Sequence, residues 1–129
     1  MPHKTAFVYS DQLSRHVLSE SHPMRPVRLR YTFELLDAYG AFDSGNSLLV
    51  KPRPATAEEV MRHHTPEYVR AVRVLGDGDT SVNPSDHNFG PGDNPAYEGM
   101  FDAAALSTGA TLVATEMLVA DQVDAAFSI

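Results

Sequence analysis

The sequence predicts an α/β domain built on a parallel sheet, and three observations carry that prediction. Three short apolar runs, Ala6-Phe7-Val8-Tyr9, Ser47-Leu48-Leu49-Val50-Lys51 and Asp124 to Ile129, have the length and composition of strands. The stretches between them carry helical spacing, and strands alternating with helices are the pattern of βαβ units. The chain has 129 residues, which gives one domain with its own core.

Each element follows from its residues. The first run opens the chain, and Ser10 to Ser21, polar with scattered Leu and Val, reads as a loop. Pro23 and Pro26 break regular structure, and Pro26 suits the first turn of a helix. Leu29, Phe33, Leu36 and Tyr39 recur at helical spacing, so a helix is predicted over 27–39 with Gly40 just past its end. Ser44-Gly45-Asn46 is a turn, and Pro52 and Pro54 end the second strand. Thr56-Ala57-Glu58-Glu59 is a capping box: the threonine hydroxyl accepts from the Glu59 amide, and the Glu59 side chain reaches back. Thr65-Pro66 restarts a helix with Tyr68, Val72 and Leu75 on one face, ended by Gly76. Gly76 to Asp93 is a long polar loop, of the kind usually functional or disordered. Asn94-Pro95 then reads as an N-cap followed by proline in the first turn, opening a helical stretch, in one or two pieces, to Ala120. Its small residues Ala103, Ala104, Ala105, Gly109 and Ala110 permit close backbone approach. The third strand comes last, and three strands are few for a parallel sheet that needs both faces covered.

Composition narrows the function. Lys and Arg number 10 against 17 Asp and Glu, a net charge of −7, which excludes a broad basic surface for nucleic acid. Arg25, Arg28 and Arg30 form a local basic contrast. The lack of cysteine excludes disulfides, thiolate metal sites and a cysteine nucleophile. No run approaches 18 apolar residues, and Met1 to Tyr9 lacks the apolar region of a signal peptide. No membrane partner and a cytoplasmic location are the expectation.

Chemistry-bearing residues are few. The histidines are His3, His16, His22, His63, His64 and His87, and none forms a His-Glu-x-x-His or Asp-x-His pattern. His63 and His64, predicted on different faces of a helix, suit a pair with one ring buried and one solvated. No Gly-x-Ser-x-Gly elbow and no Walker loop is present. Phe89-Gly90-Pro91-Gly92-Asp93-Asn94-Pro95 places glycines ahead of a helix, but Pro91 removes an amide donor and Asp93 repels phosphate. A carboxylate at a loop tip is better suited to accepting hydrogen bonds from amide groups of a ligand. On composition alone Arg28, in the first turn of its helix, is a solvated or salt-bridged arginine.

Four stretches carry a family resemblance. They are His22-Pro23-Met24-Arg25-Pro26-Val27-Arg28-Leu29-Arg30; Thr56-Ala57-Glu58-Glu59 with His64-Thr65-Pro66-Glu67-Tyr68; Phe89 to Phe101; and Leu106-Ser107-Thr108-Gly109-Ala110. In this order they resemble the N-terminal part of the zinc-dependent histone deacetylases and their bacterial relatives, the acetoin utilization proteins. The resemblance implies a three-layer α/β/α arginase-deacetylase-like fold, here partial, with about three strands of the parallel sheet. It implies a parent activity of zinc-assisted hydrolysis of an acetyl amide, usually on lysine, with histidines as acid and base. By similarity Asp93 takes the place of a rim aspartate that accepts hydrogen bonds from the substrate backbone, and Arg28 that of an arginine lining an internal channel. Many members carry one more residue before that aspartate, where Gly92 here precedes Asp93 directly.

The family's Gly-Gly-x-His-His segment, its Asp-x-His pair and its later aspartate have no counterpart in these 129 residues. The chain, 1–129, is therefore expected to be an incomplete N-terminal portion of the domain, without catalytic residues or zinc ligands of its own and inactive alone. Zinc is expected only for the complete domain, and acetylated lysine on a protein, or a small acetyl amide, is the expected substrate there. The alternatives are a non-catalytic binding or assembly module, associating through an open sheet edge, and a subunit completed by a second chain.

Overall fold

Four residues near the N-terminus form the centre of the sheet. The computed structural model describes residues 3–129; Met1 and Pro2, the start of the segment read for a signal peptide, lie outside them. Thr5–Val8 is β1, paired on one side with β2 (Ser47–Val50) and on the other with β3 (Ala125–Ser128). Both pairings are parallel, with Phe7 opposite Leu49 and Phe127. Ala6, Phe7, Val8 and Tyr9 are all buried, so the central strand is covered on both faces.

Two helices provide the covering. Between β1 and β2 runs α1 (Val27–Ala38). Its Phe33 stacks on Tyr9, ring centroids 4.7 Å apart, and Phe42 beyond it meets Phe7 at 5.5 Å. Strand alternation turns Ala6 and Val8 the other way, toward α4 (Met100–Val119), whose Ala110 and Ala114 share the core cluster with Val8. The sheet moves from β1 to β2 in one direction and to β3 in the other, and right-handed crossovers then place α1 and α4 on opposite faces. The expected α/β/α layering is present around three strands.

The segment after β2 holds two short helices, α2 (Ala57–Val60) and α3 (Pro66–Gly76). The predicted capping box is formed: the Glu59 amide donates to Thr56 Oγ1 at 3.2 Å, and the Thr56 amide donates to Glu59 Oε2 at 2.8 Å. Thr65 caps α3 by accepting from the Tyr68 amide at 3.2 Å. Arg53 binds both oxygens of Glu59, at 2.8 and 2.9 Å, and Glu116 of α4 at 2.6 Å, which ties this segment to the long helix. The small residues of α4 permit that approach. The Ala55 amide donates to the Ala105 carbonyl at 2.8 Å, and a Cβ on Gly109 would overlap the Arg53 carbonyl oxygen.

Two expectations are corrected. The long helix begins at Met100, not at Asn94-Pro95. Asn94 does not cap, because its side-chain amide donates to the Asn88 carbonyl at 2.8 Å and its own carbonyl accepts from Gly90 at 2.9 Å. Gly99 precedes the helix at φ 76°, its amide bonded to the Gly76 carbonyl. His63 and His64 lie in the turn after α2 rather than on a helix, and both are exposed. Their rings meet edge to face at 4.8 Å. The Ser10–Ser21 loop contains a 3-10 turn, Asp11–Ser14, that buries Leu13, and the Gly76–Asp93 loop contains another at Pro84–His87.

Candidate functional site

The carboxyl ends of parallel strands, where chain order reverses across a sheet, are where α/β folds place ligands. Here that point lies between β1 and β3, beyond Tyr9 and Ser128. A cavity of about 310 Å³ occupies it, lined among others by Leu13, Met24, Arg28, Leu29, Tyr97 and Ile129. Arg28 is the one charged side chain in this lining at neutral pH. His16, also in the wall, is pushed below its ordinary pKa by burial, and Tyr97, stacked on it at 6.2 Å, is pushed above its own by burial. Arg28 sits in the first turn of α1 as predicted, and no ion pair engages it among the described residues. Its neighbour Arg30 differs: it pairs with Glu34 at 3.3 Å and lies over the Tyr31 ring.

A second cleft, about 320 Å³, opens between α3 and α4 against the 88–97 loop. Tyr68, Val72, Phe89, Pro95 and Phe101 make it largely apolar, with His64 at its edge. Leu18, Tyr97 and Ala104 line both spaces and form the wall between them.

Asp93 stands on the loop that borders these spaces. Gly92 makes the turn before it at φ 100°, a conformation that L side chains rarely adopt. The loop is closed on itself by the two Asn94 bonds described above. The Asp93 side chain is exposed, and its carboxylate makes no hydrogen bond or ion pair among the described residues. Its backbone is held. The buried imidazole of His22 meets the Asp93 carbonyl through Nε2 at 3.1 Å, while Nδ1 accepts from the Met24 amide at 3.0 Å. With Nδ1 accepting, the proton belongs on Nε2, which donates.

The sequence named Asp93 and Arg28 singly. The structure brings their segments together through His22, since Met24 and Tyr97, close to either end of that bond, both line the inner cavity. Nothing in the local pattern identified His22 for this role, because its partner lies 71 residues away. Among the described residues no three His, Cys, Asp or Glu side chains stand close enough to hold a metal ion. The residues present therefore do not fit the zinc that the resemblance implies; the charged groups they offer are the exposed Asp93 carboxylate and the exposed Arg28 guanidinium, which is the one charged side chain lining its cavity.

Comparison with known proteins bears on this arrangement. The sequence model described as "Histone deacetylase domain" matches residues 22–129. The acetoin utilization protein AcuC of Bacillus subtilis is 33% identical over 119 residues, which is 92% of this chain and 30% of that protein. Histone deacetylase 1 of Homo sapiens is 28% identical over 125 residues, 95% of this chain and 26% of that protein. The chain thus spans less than a third of the length of these relatives.

Proposed function

The chain belongs to the histone deacetylase domain family, and from that premise we propose that its 129 residues form the substrate-rim and inner-cavity portion of a deacetylase-type hydrolase. The reaction of the complete domain is removal of an acetyl group from acetyl-lysine, on a protein or in a small acetyl amide, in the cytoplasm. The observation that carries the reading is the pairing of a free, exposed Asp93 carboxylate with a neutral-walled cavity whose one charge is Arg28.

Each residue has work it is chemically suited to. Asp93 accepts hydrogen bonds from backbone amides of a bound substrate; charge-assisted bonds of this kind are roughly twice as strong as neutral ones. Arg28, at the sheet's carboxyl end and itself exposed, attracts the acetate that deacetylation releases, from a lining that holds no other charged side chain. The complete family domain is expected to hold zinc, which activates water there. These residues supply no set to hold it, and no step is routed through it. None of the six histidines matches a catalytic position of the family, so the chain alone is expected to be inactive.

The test is a pair of measurements on the purified chain. Turnover of an acetyl-lysine peptide with added zinc is expected to be undetectable. Acetate, followed by NMR, is expected to perturb Arg28 and its cavity neighbours, with the perturbation lost in Arg28→Met. An acetyl-lysine peptide is expected to perturb the Asp93 loop, and Asp93→Asn to weaken that effect several-fold. Zinc-dependent turnover would contradict the inactivity. Acetate shifts that persist in Arg28→Met would remove Arg28 from the site, and peptide shifts unaffected by Asp93→Asn would remove Asp93.

A second reading has one observation in its favour. β3 is an edge strand, and its Phe127 is 58% exposed on the same face as Phe7. An apolar parallel edge recruits strands, which suits an assembly module that associates through the open sheet edge.

A further inference from the structure

We propose that His22 is the positioning residue of the Asp93 loop, linking the rim of the site to the wall of the inner cavity through one neutral imidazole. The inference rests on the reading of Asp93 as a substrate acceptor and adds the device that aims it.

The argument starts from satisfaction of polar atoms. An imidazole as buried as His22 needs a partner at each nitrogen, since a buried group left unpaired costs about as much as the bond is worth or more. One partner is local: the Met24 amide, two residues on. The other is distant: the Asp93 carbonyl. The distant bond is made to backbone, so it fixes the peptide from which the Asp93 carboxylate projects and leaves that carboxylate free. The turn around it is short. Gly92 supplies the positive φ on one side, and Asn94 on the other is closed onto Asn88 and Gly90. The His22 bond anchors the loop to the body of the domain, and it holds the peptide that leads into Asn94, whose carbonyl closes onto the Gly90 amide. At the other end of the imidazole, the Met24 amide begins the stretch through Pro26 and Arg28 that lines the inner cavity. The two nitrogens have unequal tasks: Nδ1 must accept and Nε2 must donate, so only the neutral ring protonated at Nε2 makes both bonds.

Two substitutions separate the tasks. His22→Asn keeps a side-chain oxygen able to accept from the amide two residues on, as in an Asx turn, but does not reach Asp93. His22→Gln carries its amide nitrogen far enough out to donate where Nε2 does. Hydrogen exchange on the full chain is expected to accelerate roughly five- to tenfold at the Gly90 amide in His22→Asn. The Met24 amide is expected to stay at its wild-type rate, and His22→Gln is expected to restore Gly90. Equal Gly90 exchange in wild type and His22→Asn, or no recovery in His22→Gln, overturns the proposal. Nitrogen NMR of the wild-type ring provides a measurement that needs no variant: the Nε2-protonated neutral tautomer is expected, and the Nδ1-protonated tautomer overturns the proposal. None of these readouts involves a substrate. A peptide titration unaffected by Asp93→Asn would remove the rim role of Asp93 while leaving the anchor by His22 standing.

Discussion

At the scale of single residues, Gly109 and Asp93 are the instructive pair. Gly109 was legible as one of several small residues on a helix, but the sequence did not say which of them is indispensable. The structure does, because the Arg53-Pro54-Ala55 backbone crosses α4 at that point and leaves no space for a methyl group. Gly109→Ala is expected to destabilise the chain by about 3 kcal/mol, despite the gain in helix propensity, because the clash is with backbone that cannot move aside. A urea unfolding midpoint unchanged from wild type would show that the crossing is looser than this. Asp93 and Arg28 were named from the resemblance, not from any pattern that physics alone would single out. An exposed aspartate after a glycine, and an arginine in a first turn, are individually ordinary. Their segments meet through the His22 bond, with Met24 and Tyr97 in one cavity wall, and neighbourhood of that kind is set by tertiary packing.

At the scale of elements, capping was read well where it is local and poorly where it competes. Thr56 with Glu59 forms the predicted capping box, and Thr65, predicted with Pro66 to restart a helix, caps it, since every partner lies within three residues. Asn94-Pro95 carries the same residue types and caps nothing, because a loop bond to Asn88 captures the side chain. The α2 cap is also the place where pH acts. The Arg53 guanidinium, followed by the Thr56 amide, holds the Glu59 carboxyl down to about 2 from 4.5. A carboxyl with a depressed folded-state pKa stabilises fully above its unfolded value and loses that stabilisation as pH falls. Stability should therefore be insensitive to this group above about pH 4.5 and decline from there toward pH 2. In Glu59→Gln that part of the decline should disappear; denaturant midpoints across the range decide it. The end of α4 offers the opposite case, a place for improvement. Its last turn closes through Asp121, at φ 53°, where α1 uses Gly40. Asp121→Gly is expected to stabilise by about 1 kcal/mol, by relieving left-handed strain and removing a negative charge from the helix's carboxyl end. A lower melting temperature would contradict this.

At the scale of the whole molecule, the layering and the strand alternation were legible, and the strand order was not. Alternating strands and helices specify parallel pairing, but not which strand is central. Ala6, Phe7 and Val8 of the central strand are buried, whereas Leu49 and Phe127, equally apolar, remain about half exposed on the two edges, so apolar character alone does not mark the centre. If the assembly reading holds, Phe127→Lys should lower the apparent mass of the chain in light scattering at high concentration, with little effect on its circular dichroism; an unchanged mass would remove β3 from any interface. The central placement of β1 has a further consequence, for synthesis. Thr5 pairs with Ala125, so the central strand lacks one neighbour until that later segment leaves the ribosome. At typical elongation rates that wait is roughly ten seconds. Throughout it, a strand designed for burial on both faces has one unpaired edge. Closing so long a loop is slow relative to local helix formation. The nascent chain therefore passes its most aggregation-prone interval with its helices formed and its sheet unfinished, and a chaperone that shields short apolar strands would act on this stretch first.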